Sequence, residues 1–586
     1  MRVYDNGVSR QAEKTTSPPV EMENRPGISR TFFWATAQVL LFGLAFPPFS
    51  FWPAVLFCLY PLTVLSDPKK KYRYAGFITW FMNTLLFLFE HRWQIPVSAL
   101  GYPFGAALMG MYPTINIYLL RFLRKKLPKW PVALLLPMTW AAVEVLRGEY
   151  LFYGYGFFLL GHPMINFPAF PQFASLLGTY AVSALTAMPA GALADLISEK
   201  HRLRRAGIIP GTITLLLIFS AVIYGEIAVR QGKNDKNARV IRMAAVQTNV
   251  PQDNKLNWTR ELAAKDFVDA VKLTRLAAEA DADGRKPDII CWPETMVPMP
   301  FGINDEAVRV QREFQVIDVQ FYDKLTEEQL RTGIPFLVGA EAVEGLSFKR
   351  DEKDPRLLWP GFGKVFNSVF LIENGKVGEK RYDKIHLTPF GEILPYVDRF
   401  PVLNNAILRV AAGGMRFDLS PGKKDTTLQV SIADKGTFTI ATPICFEATS
   451  DAVCRRLSYP DGKKNADILV NITNDGWFGP YRGGREQHLQ AARFRCIELR
   501  LPMLRVANTG ISAGIDSNGE IIAAGPANHE KTWDVDGVLT VDLQTDSRTT
   551  FFGRLGTVLN LVYPVCLLLL LLISFSRVIK DSTRDA

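Results

Sequence analysis

The chain has 586 residues, 48% of them hydrophobic and 21% charged, with a mean hydropathy of +0.07. Those averages fit neither a uniform soluble enzyme nor a bundle lying wholly in lipid, and they describe two unlike halves in one chain. Ordinary contents of Gly (43) and Pro (37), 12% aromatics and only 6 Cys exclude collagen-like, disordered and disulfide-framework chains. The formal net charge of +10 takes its meaning from where the basic residues lie.

Residues 1–30 are polar, carry Pro18, Pro19 and Pro26, and lack the apolar core of a cleavable secretion signal, so they read as a flexible cytoplasmic tail. Apolar runs then follow at Phe32–Phe46, Phe51–Leu65, Tyr74–Phe89, Phe104–Leu123, Trp130–Leu146, Phe173–Ile197 and Ala206–Val229. Several approach the roughly 20 residues that span hydrocarbon at helical rise, and the first three are shorter. The pattern predicts a transmembrane bundle of about seven helices over 31–230 and a polar domain over 236–548. A last span covers 555–576, with Leu567 to Leu572 unbroken, and a short tail covers 577–586.

Cytoplasmic loops retain Lys and Arg, whereas short translocated loops are poor in them. The second loop has Lys69, Lys70, Lys71 and Arg73, the fourth Arg121, Arg124, Lys125, Lys126 and Lys129, and the sixth Lys200, Arg202, Arg204 and Arg205. The loop around Pro47–Ser50 has no charge, the third offers Arg92, and the fifth offers Arg147 at its edge. This alternation predicts both termini in the cytoplasm and the polar domain outside it. The basic excess is then partly a topology signal, which argues against a nucleic-acid partner.

Within the polar domain, β-rich runs alternate with amphipathic stretches, the pattern of a layered α/β fold. The runs are Ala238–Gln247, Pro287–Trp292, Pro335–Ala340, Asn367–Ile372, Phe438–Ile444, Ala466–Ile472 and Pro502–Ala507, with helical periods over Arg260–Ala280 and Arg485–Leu499. The charged segment Leu346–Leu358 reads as a surface insertion remote from chemistry.

Three motifs fall at strand ends. Ile289-Ile290-Cys291-Trp292-Pro293-Glu294 ends in a carboxylate; Tyr382-Asp383-Lys384-Ile385-His386-Leu387-Thr388-Pro389-Phe390-Gly391-Glu392 brackets a proline-fixed turn with a lysine and a second carboxylate; and Ile440-Ala441-Thr442-Pro443-Ile444-Cys445-Phe446-Glu447 delivers a cysteine to a helix-like Ala448–Leu457. Alone, each has an ordinary reading as a surface acid, a solvated lysine and a buried thiol. Together they supply a nucleophile, Cys445, whose thiol pKa of about 8.5 would fall near a helix N-terminus or a lysine cation. Glu294 could accept its proton, and Lys384 could stabilise the oxyanion of a tetrahedral intermediate.

Glu–Lys–Cys in this order, with W-P-E, K-x-H-L-x-P-F-G-E and C-F-E around them, resembles the nitrilase (carbon–nitrogen hydrolase) superfamily, and the flanking spans narrow the resemblance to bacterial apolipoprotein N-acyltransferases. It continues through Val246–Trp258, Asn474-Asp475-Gly476-Trp477-Phe478-Gly479, Gln487–Arg500, Arg505–Gly510 and the membrane segment Glu144-Val145-Leu146-Arg147-Gly148. The resemblance implies a nitrilase-like α-β-β-α sandwich inserted before the last span of an all-α bundle of about eight helices. It also implies transfer of an acyl chain from a phospholipid, through a thioester on Cys445, to the N-terminal amine of a diacylglyceryl-modified cysteine on an apolipoprotein.

In that scheme Glu294 is the base, Lys384 the oxyanion stabiliser, Glu392 a carboxylate supporting the lysine, Glu447 a further active-site acid, and Trp258 lies near the lipid-access loops. The implied setting is a monomer in the bacterial inner membrane, with its catalytic domain in the periplasm, no cofactor and no metal. An acyl donor with two long chains leaves the bilayer at about 0.8 kcal/mol per CH₂, so an enzyme that uses it gains from being membrane-bound. Phe446 stands where such proteins often have a tyrosine, the loop Gly154-Tyr155-Gly156-Phe157-Phe158 lacks a tryptophan common there, and Glu144 with Arg147 reads as an interfacial pair. His386 and His488 read as packed histidines rather than bases, and a pairing of Cys454 with Cys496 stays open. Other readings are a tethered amidase that gives the thioester to water, a non-catalytic lipoprotein-binding scaffold and, more weakly, a transporter.

Overall fold

The structure is a computed structural model that describes the chain apart from residues 1–26, 96–100, 198–203, 253–258, 355, 401, 403–418, 527–529 and 585–586. Trp258 and most of the N-terminal tail therefore lie outside the described residues.

The apolar half is helical. Ile28–Ala45, Ala75–Glu90, Gly101–Lys126, Val132–Val145, Thr179–Ile197 and Arg204–Lys233 coincide with predicted runs. The run at Phe51–Leu65 does not form one span: it breaks into a 3-10 turn over Trp52–Leu56 and a six-residue helix over Tyr60–Leu65. Pro53 and Pro61 fall in the first turns of these two short pieces, and each removes a backbone donor that a continuous helix would use. Near the C-terminus a short helix, Phe551–Leu555, precedes the long one, Val562–Arg584, which runs on through the stretch expected to be a tail. Among the described residues, four helical stretches are long and apolar enough to cross a membrane: Ile28–Ala45, Thr179–Ile197, Ile208–Lys233 and Phe551–Ser576.

The polar half contains β1 (Val240–Gln247), β2 (Ile289–Cys291), β3 (Phe336–Glu344), β4 (Ser347–Arg350), β5 (Leu358–Gly361), β6 (Lys364–Glu373), β7 (Lys376–Asp383), β8 (Leu428–Ile432), β9 (Gly436–Ala441), β10 (Ile468–Thr473), β11 (Met503–Ala507), β12 (Ala513–Ile515), β13 (Ile521–Ala524) and β14 (Gly537–Gln544). They form two mixed six-stranded sheets, ordered β14-β1-β2-β3-β6-β7 and β13-β12-β11-β10-β9-β8. Alternation along β1 explains the layering. Ile241, Met243 and Ala245 enter a core shared with Leu469 and Val506 of the other sheet, whereas Ala244 and Val246 face Phe267 and Val271 of the helix Arg260–Ala277. The second sheet is covered by Asp451–Ser458 and Arg482–Leu499, whose Cys454, Leu457, Leu489 and Cys496 close the same core. The result is the expected α-β-β-α sandwich. Cys454 and Cys496 are both free thiols within it.

The segment 346–358 belongs to a hairpin, β4–β5, which leaves β3 and returns to β6, and these two strands pair directly at Glu344↔Lys364. On the other side, Arg482–Leu499 is buried almost throughout, because its far face meets the membrane half: Phe494 and Ile497 join the core of the bundle. Two polar joints fix the halves together. Glu498 accepts from the backbone N–H and the hydroxyl of Thr179 at 2.8 and 2.6 Å, and Arg500 donates to Gln172 at 2.6 Å.

Candidate active site

Three strand ends bring Glu294, Lys384 and Cys445 to one edge of the sandwich. Glu294 follows β2, which runs parallel to β3 in the register Cys291↔Leu337. The turn then lies against Gly339, whose carbonyl accepts from the Met296 N–H at 3.0 Å and where a Cβ would stand 2.3 Å from the Pro293 carbonyl oxygen. One Glu294 oxygen, Oε1, accepts from Asn367 Nδ2 at 2.6 Å and faces Lys384 Nζ at 3.4 Å; the other accepts from the Asn474 N–H at 2.8 Å. Its lone pairs are thereby aimed by β6 and by the end of β10.

Lys384 follows β7, and its N–H donates to the Asn367 carbonyl at 2.8 Å. Its ammonium is buried, 2.8 Å from Glu392 and 3.3 Å from the Thr388 hydroxyl. Burial alone would depress it, but Glu392 and Glu294 outweigh that and hold the lysine above its ordinary range. Glu392 is itself fixed by the Thr388 N–H at 2.7 Å, and Lys384 keeps its carboxyl below the usual range against the opposing effect of burial. The lysine is a permanent, immobile cation.

Cys445 begins a 3-10 turn, Cys445–Thr449, with φ +49°, a left-handed conformation that costs a non-glycine residue about 1–3 kcal/mol. Its carbonyl is held by Asn471 Nδ2 at 3.3 Å and by His488 Nε2 at 3.1 Å. A carbonyl can only accept, so the Nε2 bond to Cys445 is donated by His488, while Nδ1 lies 3.1 Å from Arg505 Nη2 and 3.2 Å from Asp475 Oδ1. Burial and Arg505 push this imidazole down, keeping it neutral. Arg505 also binds both oxygens of Asp475, at 2.9 and 2.8 Å, with both side chains fully buried. His488 thus holds the Cys445 backbone. His386, pushed down to about 4 by burial and by Lys384, is also neutral and stacks on Phe446 at 5.7 Å.

Two sequence-based expectations change here. The α-helix begins at Asp451, so the Cys445 thiol does not sit at the N-terminus of an α-helix. The thiol is also not lowered: burial and the Glu294 carboxylate, only partly offset by Lys384, push it up to about 12. The main physical reason is burial, which disfavours an anion; the Glu294 carboxylate adds to it and the Lys384 ammonium only partly offsets it. Glu447 accepts from the Tyr382 hydroxyl at 2.9 Å and from the Ile385, His386 and Ile444 N–H groups at 2.7, 2.9 and 2.8 Å. It ties the lysine loop to the cysteine loop.

Glu144 and Arg147 are likewise not a mutual pair. Glu144 accepts from Trp140 Nε1 at 2.8 Å and the Leu160 N–H at 2.7 Å, while Arg147 donates to the carbonyls of Tyr155, Phe157 and Phe158 at 3.0, 2.6 and 3.2 Å. Their work is to shape the membrane-half loop that abuts the site. There, the Phe152 N–H donates to the Tyr396 hydroxyl at 2.9 Å, and Phe152 and Tyr153 pack on Phe390 and Tyr396 of the loop that carries Glu392.

Sequence reasoning missed Asn367, Asn471 and Thr388. Asn367 and Asn471 were visible as single amides inside the apolar strands Val365–Phe370 and Ile468–Ile472, where a buried polar group needs a partner. Among the described residues there is no group of three or more His, Cys, Asp or Glu side chains arranged to hold a metal ion.

Comparison with known proteins gives two family matches. Residues 242–550 match carbon–nitrogen hydrolase, and residues 39–192 match the apolipoprotein N-acyltransferase N-terminal domain. Similar curated proteins are the apolipoprotein N-acyltransferases of Geobacter metallireducens, 26% identical over 90% of this chain and 92% of that protein, and of Sinorhizobium medicae, 28% identical over 92% and 95%. That of Haemophilus influenzae is 26% identical over 94% of this chain and 95% of its own length.

Proposed function

This chain belongs to the carbon–nitrogen hydrolase family, and on that premise we propose that it is a membrane-bound N-acyltransferase acting on lipoproteins. It takes an acyl chain from a phospholipid onto Cys445 and passes it to the α-amine of a diacylglyceryl-modified N-terminal cysteine. The observation that carries this reading is the buried Lys384 ammonium, clamped at 2.8 Å by Glu392 and 3.4 Å from Glu294, in a chain whose described residues include helices long and apolar enough to cross a membrane. A fixed cation suits an oxyanion that forms only during reaction, because its orientation is set in advance.

The resting thiol is neutral, so attack on the donor ester is general-base catalysed. Glu294 removes the thiol proton as the sulfur–carbon bond forms, Lys384 meets the charge on the ester oxygen, and the proton returns to the departing lysolipid alcohol. In the second half, Glu294 takes a proton from the attacking amine as the nitrogen–carbon bond forms, and the thiol leaves with a proton. Asn367 and the Asn474 N–H keep the base aimed through both halves. The basic loops favour cytoplasmic termini and a periplasmic site, the compartment in which the acceptor amine would be met.

The test is intact-mass analysis of the purified protein after incubation with phospholipid. A single acyl adduct on Cys445 is expected, abolished in Cys445→Ala and lost on addition of a diacylated lipopeptide. An unmodified protein, or an adduct that survives in the alanine variant, overturns the proposal.

A further inference from the structure

We infer that Phe157, contributed by the membrane half, is a positioning residue for the nucleophile of the catalytic domain; the inference rests on the acyltransferase reading above. Its ring lies in a column of four. Tyr155 stacks on Phe157 at 5.3 Å, Phe157 on Phe446 at 6.0 Å, and Phe446 on His386 at 5.7 Å. The same Phe157 ring packs against His488 at 5.8 Å, the imidazole whose Nε2–H holds the Cys445 carbonyl. One buried ring therefore braces both the residue after the nucleophile and the group that maintains the nucleophile's left-handed backbone.

The brace is rigid at its other end. The Arg147 guanidinium, itself buried, donates to the carbonyls of Tyr155, Phe157 and Phe158, while the Tyr155 N–H returns a bond to the Arg147 carbonyl at 2.9 Å. Gly156 lets the loop approach so closely that a Cβ there would stand 2.9 Å from the Thr449 carbonyl oxygen, at the end of the turn that starts with Cys445. Stacked rings gain stabilisation beyond their buried area, which opposes the relaxation of a strained residue held against them. The membrane half thus acts on catalysis as well as anchoring it, by setting the orientation of the Cys445 sulfur.

The experiment measures the rate of acyl-adduct formation on Cys445 against phospholipid concentration in the full-length protein, for wild type, Phe157→Ala, His488→Gln and the double variant. For Phe157→Ala, the maximal rate is expected to fall about tenfold to a hundredfold, as for a small misplacement of a reacting group. The half-saturating phospholipid concentration is expected to move less than about twofold, because uniform binding is untouched. The double variant is expected to lose no more than the worse single one, since both changes release the same carbonyl. If the alanine variant does not fold, Phe157→Leu, which keeps apolar volume but not a flat ring, is expected to lose about threefold to tenfold. A folded Phe157→Ala or Phe157→Leu protein with the wild-type rate, a change confined to half-saturation, or fully additive losses overturns the inference. Wild-type protein that forms no adduct overturns instead the functional reading on which it rests.

Discussion

At pH 7 the Cys445 thiol, pushed up to about 12 by burial and by Glu294, carries its proton. Its thiolate fraction then rises about tenfold per pH unit from pH 8 to 10. The iodoacetamide alkylation rate of Cys445, followed by mass spectrometry, should climb over that whole interval, and a plateau between pH 8 and 9 would contradict the assignment. The opposite case is Asp475, which burial would raise but Arg505 and His488 hold well below the usual carboxylate range. A depressed carboxylate contributes stability that is present above its unfolded pKa of about 3.9 and is lost as pH falls through the folded value. In Asp475→Asn the contribution vanishes at neutral pH as well, and the Arg505 guanidinium is left buried without a counter-charge. A loss of about 3–5 kcal/mol is expected, read as a lower denaturation midpoint in detergent. An unchanged midpoint would mean that the buried pair is not the keystone its geometry implies.

The strand and helix scale is where sequence and structure agree most and where their differences have a cause. The runs at β1, β2, β10 and β11 were legible because they are apolar, β-branched and bounded by Pro, Gly or charged residues, and the helix Arg482–Leu499 was legible from its period. β7 was not, since Lys376–Asp383 alternates only weakly and has one face in solvent. The short strands β12 and β13 carry too few residues to show a period. Glu294 and Cys445 could be singled out because each follows a recognisable strand, and Lys384 and Glu392 because they bracket a proline-fixed turn in one motif. Asn367 acts through register alone, and the raised thiol depends on burial and on the neighbouring Glu294, which no local string contains. Gly339 makes this dependence testable. A Cβ at that position meets the Pro293 carbonyl oxygen at 2.3 Å, so either β3 or the Glu294 turn must move. Gly339→Ala is expected to cost about 1–3 kcal/mol by overpacking and to slow Cys445 acylation about a hundredfold by displacing the base. Wild-type acylation in a folded Gly339→Ala protein would show that the turn has slack.

For the molecule as a whole, the broad division into an apolar helical half and an α/β half was readable from composition, but the number of spans was not. Pro53 and Pro61 interrupt one run, and residues that look like a tail extend the last helix. The orientation argued from the basic loops predicts that an exposed catalytic-domain position, Glu313→Cys, reacts with a membrane-impermeant maleimide on spheroplasts, while Lys69→Cys reacts only after the membrane is opened. The reverse labelling would turn the molecule over and separate the site from its acceptor. The site is framed on one side by the sandwich and on the other by the loop that Arg147 shapes. The most direct measurement is a chase: protein loaded with radiolabelled acyl chain from phospholipid is separated from the donor and mixed with a diacylated lipopeptide bearing a free N-terminal amine. The account predicts that the label leaves Cys445 and appears in amide linkage on the peptide. Label recovered only as free fatty acid, or label that remains on the protein, would contradict it.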